Sequence, residues 1–348
     1  MKAAFFYAPR DIRVADVPDA EPGPGQALLD VTAVGICGSD LHTYLYGDVG
    51  GVKAKEPITL GHEAAGIVVA AGPGSDLRPG QRVAIDPATP CGVCERCQEG
   101  DPHLCLNLAF MGLYPYQGAL RERMIYPAHL CVPVPDSITD IGAAMLEPLG
   151  VALHASRLAQ IQIGEDVAVL GCGAIGLLII RLARLAGARR IFAADRYPWR
   201  LNQAAAYGAD EVINIDEADV IAEVMRATDK RGVDVAIEAA WAAETTGQCV
   251  EMARHGGRVI IVGIPVEDFL TFRASAARRK ELLIRPSRRM KHTYPAAIAL
   301  ATGGQVDLDG LASHQYTLEQ TRQAFETAAL YEDGVVRAII LPNAHRGS

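Results

Sequence analysis

Four closely spaced cysteines are the residues of this chain best suited to metal chemistry. The run is Cys-x2-Cys-x2-Cys-x7-Cys, made of Cys91, Cys94, Cys97 and Cys105. Four thiolates satisfy a tetrahedral Zn²⁺ ion completely, so such a site stabilises a loop and leaves no position for a substrate. His103, inside this loop, is therefore expected at the surface rather than on the metal. A disulfide pair is disfavoured because the chain shows no secretory signal, whereas an iron–sulfur cluster stays an alternative because the spacing is similar to some ferredoxin runs.

A second group of potential metal ligands is spread along the first half of the chain. Cys37 lies in Gly35-Ile36-Cys37-Gly38-Ser39-Asp40-Leu41-His42, His62 in Gly61-His62-Glu63, and Glu147 precedes Pro148. One thiolate, one imidazole and one carboxylate leave the fourth position of a zinc ion open for water or a substrate oxygen. A metal in such a site lowers the pKa of a bound alcohol, so that an alkoxide forms near neutral pH. The combination predicts a catalytic metal, although Cys37 or His62 alone would indicate a buried core residue.

A glycine-rich loop predicts the binding of a dinucleotide. The loop is Gly171-Cys172-Gly173-Ala174-Ile175-Gly176, which follows an apolar strand and opens a helix. Gly171 permits a tight turn, Gly173 lets the backbone approach a pyrophosphate, and Gly176 allows the helix to pack closely on the strand. The free N–H groups of the helix N-terminus then attract the phosphates.

The residues after the next strand indicate which dinucleotide is bound. Asp195 ends that strand, 19 residues after Gly176, where its carboxylate accepts hydrogen bonds from ribose hydroxyls and repels a 2′-phosphate. NAD is therefore favoured over NADP. Arg196 and Arg200 are predicted to lie near the adenine, although a basic residue there could also hold a phosphate. Ala174, Ile175 and Gly263 complete the predicted cofactor-binding residues.

The composition is that of an ordinary globular protein and argues against a membrane or nucleic-acid function. The chain has 348 residues, 50% hydrophobic and 21% charged, with a net charge of −8, and no segment approaches the ~20 apolar residues of a membrane span. The acidic balance argues against nucleic acid as a partner. Eight cysteines without a secretory signal predict a reducing compartment, so we expect a cytoplasmic protein.

The elements that must position these residues change in character near residue 150. Before it, short strand-like stretches alternate with Gly/Pro-rich turns, which predicts a β-rich domain interrupted by the cysteine loop. The predicted strands are Lys2–Tyr7, Ala27–Val34, Ala64–Ala71, Arg82–Asp86 and His129–Val134.

After residue 150, strands alternate with helices, the pattern of a parallel, doubly wound sheet. The predicted strands are Asp166–Leu170, Arg190–Ala194, Glu211–Ile215, Val233–Glu238 and Arg258–Gly263, with helices ending near Ala186, beginning at Pro198 and Glu217, and spanning Glu244–Arg254. A last helix at Leu318–Leu330 and a strand at Val335–Leu341 are expected, the strand pairing back into the first domain. The predicted domains are thus a discontinuous β-rich domain at 1–149 and 294–348, with its zinc loop at 90–106, and an inserted nucleotide domain at 150–293.

These motifs together resemble the zinc-dependent medium-chain dehydrogenase/reductase family. The resemblance rests on Cys37-Gly38-Ser39-Asp40-x-His42, Gly61-His62-Glu63, the cysteine loop, Glu147-Pro148 and the Gly171–Gly176 loop, in the family's order over essentially the whole chain. It implies a GroES-like catalytic domain and a Rossmann cofactor domain, with the active site in the cleft between them. The sorbitol (polyol) dehydrogenase branch is the most similar, since Glu147-Pro148 stands where other branches carry a third zinc-binding cysteine.

The resemblance implies a role for each site residue. Cys37 and His62 bind a catalytic zinc, with Glu63 or Glu147 as the third ligand, and the four-cysteine loop binds a structural zinc, so that two zinc ions are expected per chain. Ser39 accepts the proton of the substrate hydroxyl and passes it through the ribose or His42 to solvent. Tyr46 and Arg289 are expected to contact the substrate, although Met290 and Thr43 stand where the branch commonly carries aromatic residues.

The predicted activity is the oxidation of a secondary alcohol of a polyol or sugar acid by NAD⁺, giving the ketone. A threonine-type amino-alcohol dehydrogenase or a simple secondary-alcohol dehydrogenase is an alternative, and a non-catalytic NAD-binding protein is a more remote one. The family implies a homodimer or homotetramer, in which the strand Arg258–Gly263 is a candidate for extending the sheet between subunits.

Overall fold

The computed structural model describes residues 1–344, so residues 345–348 of the predicted first domain lie outside the described residues. The chain forms two compact units. The first unit is Met1–Pro148 together with the residues from Tyr294 onward, and the second is Leu149–Thr293. Among the described residues, no helix is both long and apolar enough to span a bilayer.

The first unit is rich in short strands. Its elements in chain order are β1 (Lys2–Ala8), β2 (Asp11–Asp16), β3 (Gln26–Gly35), α1 (Gly38–Tyr46), β4 (Asp48–Val49), β5 (Val52–Lys53), β6 (Ile58–Thr59), β7 (Glu63–Ala71), β8 (Arg82–Ile85), β9 (Ala88–Thr89), α2 (Glu95–Gln98), β10 (Ala109–Phe110), β11 (Arg123–Pro127), β12 (Cys131–Pro133), α3 (Asp140–Ala144) and α4 (Leu146–Ala159), the last of which runs on into the second unit. The main sheet has the order β12-β8-β7-β3, and β11 also pairs with β3. Residues of β3 alternate between buried and partly buried positions over most of the strand, as expected of a strand with one face on a core, whereas the first four residues of β7 are all buried.

The second unit is a parallel sheet with helices between its strands. Its elements are β13 (Asp166–Leu170), α5 (Ala174–Leu185), β14 (Arg190–Asp195), α6 (Pro198–Tyr207), β15 (Glu211–Asn214), α7 (Val220–Ala227), β16 (Val233–Glu238), α8 (Thr245–Met252), β17 (Ala253–Ile261), α9 (Ala274–Lys280) and β18 (Leu283–Pro286). The strand order β15-β14-β13-β16-β17-β18 is the order 3-2-1-4-5-6 of the Rossmann fold. Every residue of β13 and of β16 is buried, which explains why these strands are mostly apolar in the sequence.

The chain then returns to the first unit with α10 (Tyr294–Thr302), β19 (His314–Thr317), α11 (Thr321–Leu330) and β20 (Ala338–Leu341). β20 pairs antiparallel with β3, with Ile339 opposite Gly35. The expectation that the last strand pairs back into the first domain is therefore confirmed. This pairing also brings Arg337, the residue before β20, next to the end of β3.

Three differences between the expected and observed elements have a clear physical cause, while others are shifts of a boundary by a few residues, such as the last helix, expected from Leu318 and observed from Thr321. The helix expected from Glu217 begins at Val220, because the Asp219 side chain accepts from the first backbone amides and caps the helix there. The helix expected to reach Arg254 ends at Met252, because Ala253 already pairs with Val233 in the sheet.

The third difference concerns the strand proposed to extend the sheet between subunits. That strand, the predicted Arg258–Gly263, is flanked by β16 on one side and β18 on the other. It is an interior strand, so the expectation was wrong. The short strand β18, without a clear apolar pattern, was missed in the sequence.

Candidate functional site

Cys37 lies at the turn between β3 and α1, where it occupies the position before the first helical residue. Its backbone N–H donates to Asp40 Oδ2 at 3.0 Å, so Asp40, at the third helical position, caps the start of α1. Asp40 is buried, with only 2% of its surface exposed. The helix start therefore fixes the backbone that carries the Cys37 thiol.

His62 is held by the same aspartate. The backbone of Gly61 has φ of 88°, and a side chain at this position would meet Val34 at 2.7 Å, so glycine is required there. Gly61 N–H donates to Asp40 Oδ1 at 3.1 Å, and the same oxygen lies 3.4 Å from His62 Nδ1. One carboxylate thus orients the thiol-bearing turn and the imidazole, as carboxylates behind metal-binding histidines do.

Glu63 begins β7 directly opposite Gly35, the last residue of β3. A Cβ at Gly35 would lie 2.3 Å from Glu63 Oε2, so the glycine makes room for the carboxylate. Arg337 Nη2 lies 3.3 Å from Glu63 Oε1, while Arg337 Nη1 donates to the Ile36 carbonyl at 2.7 Å. The buried carboxylate is thereby balanced by a buried guanidinium.

Cys37, His62 and Glu63 form a cluster suited to a metal ion. Their ligand atoms all lie within 4.8 Å of one another, and neither oxygen of Glu63 accepts a hydrogen bond from any residue that the structure describes. Burial opposes a charged imidazolium, but Asp40 and Cys37 hold the pKa of His62 well above its usual range. A thiolate, an imidazole and a carboxylate around one space are the donor set of a zinc site with an open position, so these residues fit the metal.

Glu147 is buried near this cluster without belonging to it. Only 5% of its surface is exposed, and burial raises its pKa to about 8, with His62 lowering it and Glu63 raising it further. Among the described residues, the group with ligand spacing contains Glu63 and not Glu147. A cation in the cluster would favour the ionised form of Glu147, because a nearby positive charge stabilises a carboxylate.

Ser39, His42 and Tyr46 lie on α1, the helix that Cys37 precedes. Ser39 and His42 are three residues apart and therefore face the same side of the helix. Burial lowers the pKa of His42, opposed by the nearby charge of Asp48, so the ring is neutral near pH 7 and able to accept a proton. The Tyr46 ring contacts the His42 ring edge to face at 5.9 Å and is 54% exposed.

The four cysteines of the loop form a second cluster with metal spacing. Cys94 Sγ lies 3.5 Å from Cys97 Sγ and 3.8 Å from Cys105 Sγ. These separations are too long for disulfides and equal the edge of a tetrahedron with zinc–sulfur bonds of about 2.3 Å. The space suits one ion rather than a cluster of several irons, which removes the main support for the iron–sulfur alternative.

The pKa values of the cysteines in this loop also indicate that the cluster binds a cation. The backbone N–H groups of Leu106 and Cys97 lower the pKa of Cys94 to about 6, whereas desolvation and the Cys94 thiolate raise the pKa of Cys97 to about 12. Four adjacent thiolates therefore need a cation to coexist.

His103, which was expected at the surface, is buried, with 7% of its surface exposed. It lies in the short 3₁₀ turn that leads to Cys105.

The glycine-rich loop has the geometry of a dinucleotide site. Gly171 has φ of 94°, and a side chain there would meet Ala240 N at 2.7 Å. A Cβ at Gly176 would lie 1.8 Å from the Gly171 carbonyl, whereas nothing lies within 4 Å of one at Gly173. The loop thus needs Gly171 and Gly176 for its own packing, and the open space at Gly173 suits the approach of a pyrophosphate.

Asp195 ends β14 beside this loop. Its Oδ2 accepts from Cys172 N–H at 2.8 Å and its Oδ1 from Tyr197 N–H at 3.1 Å.

The other predicted cofactor and substrate residues lie as follows. Arg200 Nη1 lies 3.7 Å from Asp195 Oδ2, and the Arg200 guanidinium lies over the Tyr197 ring. Arg196 pairs with Asp216 at 3.4 Å. Ala174 and Ile175 begin α5, and Gly263 follows β17 at the same edge of the sheet. Arg289 belongs to the second unit and has φ of 56°.

Two residues that contact the cluster of Cys37, His62 and Glu63 were not assigned a role from the sequence. They are Asp40 and Arg337. Asp40 could have been found from its position three residues after Cys37, which is that of a helix cap. Arg337 could have been found as the lone charge in the apolar run Val335–Leu341, since a buried arginine needs an acidic partner.

Comparisons with known proteins agree with this geometry. Residues 23–136 match the family described as "Alcohol dehydrogenase GroES-like domain", and residues 174–303 match "Zinc-binding dehydrogenase". A sorbitol dehydrogenase of Bacillus subtilis (strain 168) is 36% identical over 344 residues, which are 99% of this chain and 98% of that protein. The chain belongs to the zinc-dependent medium-chain dehydrogenase/reductase family. The family and the fold class predicted from the sequence are thus confirmed.

Other members of the medium-chain dehydrogenase/reductase family show the same extent of similarity. An L-idonate 5-dehydrogenase of Vitis vinifera is 33% identical over 94% of this chain and 91% of its own length. A solved structure of a zinc-binding dehydrogenase from Sinorhizobium meliloti 1021, bound to NADP, superposes with a TM-score of 0.90 at 32% identity, covering 98% of this chain and 99% of that one. The chain is therefore a zinc-type alcohol oxidoreductase of the polyol dehydrogenase branch, which uses a nicotinamide cofactor and acts on small hydroxyl compounds.

Proposed function

We propose that this protein is an NAD⁺-dependent dehydrogenase that oxidises a secondary hydroxyl of a polyol or sugar acid to the ketone. The observation that carries the proposal is the set of metal ligands formed by Cys37, His62 and Glu63. Cys37, His62 and Glu63 offer three donors within 4.8 Å of one another, which leaves one position for the substrate oxygen. The similarity to sorbitol and L-idonate dehydrogenases supports a polyhydroxylated substrate.

The chemistry follows from the residues around the cluster. Cys37, His62 and Glu63 would hold a zinc ion, which when bound lowers the pKa of a coordinated alcohol. A nicotinamide cofactor bound at the glycine-rich loop would supply the hydride acceptor for the alcohol carbon. Ser39 would accept the hydroxyl proton at Oγ and donate its own proton towards the neutral ring of His42 on the same helix. Glu147, which is buried and interacts electrostatically with His62 and Glu63, could replace Glu63 as the third ligand.

The preference for NAD over NADP rests on Asp195. Two backbone amides hold its carboxylate at the end of β14, where it can accept a hydrogen bond from the ribose and would repel a 2′-phosphate. Arg196 and Arg200 could compensate for this repulsion, and a relative bound to NADP exists. Arg196, however, already pairs with Asp216, which lowers its availability for a phosphate.

A substrate panel tests this function. The panel contains polyols, sugar acids, threonine and short secondary alcohols, each with NAD⁺ and NADP⁺, and formation of the reduced cofactor is measured. We expect the highest kcat/KM with a polyol or sugar acid and NAD⁺. Activity on threonine and on no polyol would assign the chain to the threonine-type dehydrogenases, and activity on simple alcohols alone would assign it to that class.

The variant Arg289→Met separates these substrate classes within one protein. If Arg289 contacts the substrate hydroxyls, its loss should reduce kcat/KM for the polyol by about tenfold or more. The kcat/KM for a simple secondary alcohol should change little, because this substrate lacks the hydroxyls that the guanidinium would bind. Equal losses for both substrates would argue against the contact.

A further inference from the structure

Glu238 is a buried carboxylate at the end of β16 to which the proposed function gives no role. Only 3% of its surface is exposed. Its Oε1 accepts from Thr245 Oγ1 at 3.0 Å, and its Oε2 accepts from Gly263 N–H at 3.0 Å. Among the described residues, no cation pairs with it. The side chain thus joins the start of α8 to the segment after β17, and both lie at the carboxyl edge of the parallel sheet.

The loops at this edge are packed without spare room. Ala239 N–H donates to the Leu170 carbonyl at 2.8 Å, at the end of β13. A Cβ at Gly171 would lie 2.7 Å from Ala240 N, and a Cβ at Gly263 would lie 1.6 Å from Ala240 O. The peptide after Glu238 is therefore enclosed between Gly171 of the glycine-rich loop and Gly263. A displacement of Gly263 or Ala240 moves the backbone of the glycine-rich loop.

We propose that Glu238 is a positioning residue for the nicotinamide cofactor, which holds the loops after β16 and β17 against the glycine-rich loop. The proposal rests on the proposed function, since it requires that a dinucleotide binds across this edge. In a Rossmann sheet the dinucleotide crosses the carboxyl ends of the strands at the point where the strand order reverses. Here that point lies between β13 and β16, the two strands whose ends Glu238 and Gly171 occupy.

The role requires a hydrogen-bonding group of this length rather than a charge. A carboxylate accepts from both Gly263 N–H and Thr245 Oγ1. A glutamine accepts from Gly263 N–H with its oxygen and donates to Thr245 Oγ1 with its amide, because Thr245 Oγ1 can in turn donate to the Ala242 carbonyl at 2.8 Å. An alanine removes the side-chain acceptor of the Gly263 amide and leaves it only the longer bond to the residue 238 carbonyl, at 3.3 Å in the wild type.

The test compares Glu238→Ala with Glu238→Gln in the full-length protein. NADH binding is measured by the change in NADH fluorescence, at a temperature where circular dichroism shows each variant folded. We expect Glu238→Ala to weaken NADH binding about tenfold, the effect of losing one buried hydrogen bond with its acceptor. Glu238→Gln should bind within about twofold of the wild type. Glu251→Ala is the matched control, since Glu251 pairs with Arg273 on the far side of α8, and it should bind as the wild type does.

The outcomes separate this proposal from a purely structural role and from the proposed function. A folded Glu238→Ala protein with wild-type NADH affinity would overturn the proposal, as would a Glu238→Gln protein that binds as weakly as the alanine variant. If Glu238→Ala does not fold, Thr245→Val decides, because it leaves Glu238 in place and removes the Oε1 partner together with the Thr245 bond to the Ala242 carbonyl. A weakened affinity, about threefold, supports the proposal and an unchanged one overturns it. If the wild type itself binds neither NADH nor NADPH, the proposed function fails, and the proposal with it.

Discussion

Arg337 and Glu63 form a buried ion pair at the metal-binding cluster. Both side chains are at most 7% exposed, and Glu147, also buried, adds a second carboxylate nearby. In a protein without metal, Arg337 and the His62 imidazolium are the positive charges that offset these carboxylates. With a zinc ion in the cluster, the ion supplies positive charge as well. The contribution of Arg337 to stability should therefore depend on the metal.

The variant Arg337→Met tests this dependence. Removing one partner of a buried pair costs about 3–5 kcal/mol when nothing replaces it. We expect a loss of this size in the protein treated with chelator and a clearly smaller loss in the zinc-loaded protein, both measured by urea unfolding. Arg337→Lys, which keeps the charge, is the control and should lose less in both states. An equal loss with and without zinc would contradict a role for Arg337 in charge balance.

The raised pKa of Glu238 leads us to expect that the stability of the second unit depends on pH. Burial raises its pKa from 4.5 to about 7, although hydrogen bonds from Thr245, Gly263 and Ala240 oppose this rise. The folded protein therefore binds a proton at Glu238 more tightly than the unfolded chain does, so this group's contribution to stability falls as the pH rises from about 4.5 to about 7. The size of the effect is about 3 kcal/mol.

Glu238→Gln should remove this contribution. The titratable group that faces Glu238 from α8 is the Cys249 thiol, whose pKa burial raises further above its usual range, so it stays protonated. Asp166 begins β13, at the end of that strand away from Glu238, and Arg258 on β17 lies opposite Val235, three residues before Glu238. We expect the stability of the variant relative to the wild type to increase from pH 5 to pH 8, measured as the difference in urea unfolding free energy. A difference that is constant with pH would contradict the raised pKa.

At the scale of the element, the cysteine loop has almost no core of its own. Cys105 is buried, while Cys91, Cys94 and Cys97 are partly exposed, and the helix α2 inside the loop buries no residue. A segment of this kind keeps its shape through its metal rather than through apolar packing. Val93 and Leu106, two apolar residues of the loop, are 75% and 73% exposed, which agrees with the absence of a core there.

Cys91→Ser should therefore act on stability and not on the reaction. We expect the loss of one zinc ion per chain and a fall of Tm by about 5 °C or more. The kcat of the fraction that remains folded should stay close to that of the wild type. Cys131→Ser is a suitable control, since Cys131 is buried in β12 outside the loop and its change should leave the zinc content intact. A folded Cys91→Ser protein with full zinc content would contradict a four-thiolate site.

The strands that position the site were predicted more accurately from the sequence than the contacts between its side chains were. The strands β13, β14 and β16 were recognisable because buried parallel strands are mostly apolar, and the glycine-rich loop was recognisable from the spacing of its glycines. Helix boundaries shifted where a single side chain decided them, as Asp219 does for α7. The pairing of Glu63 with Arg337 could not be read from spacing, because 274 residues separate the two in the chain and only the return of β20 to β3 brings them together.

At the scale of the whole molecule, the chain carries two metal clusters with opposite consequences for function. Among the described residues, the clusters are the four-cysteine loop and the Cys37, His62 and Glu63 group, both in the first unit. The four-cysteine loop offers four ligands and no free position, whereas the Cys37, His62 and Glu63 group offers three. Loss of metal from the first should reduce stability, and loss from the second should abolish activity.

Metal analysis of the purified protein and of two variants tests this division. We expect about two zinc ions and no iron per wild-type chain, one zinc ion in Cys91→Ser and one in Cys37→Ala. Cys37→Ala should unfold at nearly the wild-type temperature yet lose at least about a thousandfold in kcat/KM, because the alcohol is no longer activated. Cys91→Ser should show the reverse, a lower Tm with activity retained. If both variants lose stability and activity together, the two clusters depend on each other, and the separate roles inferred from their ligand counts are wrong.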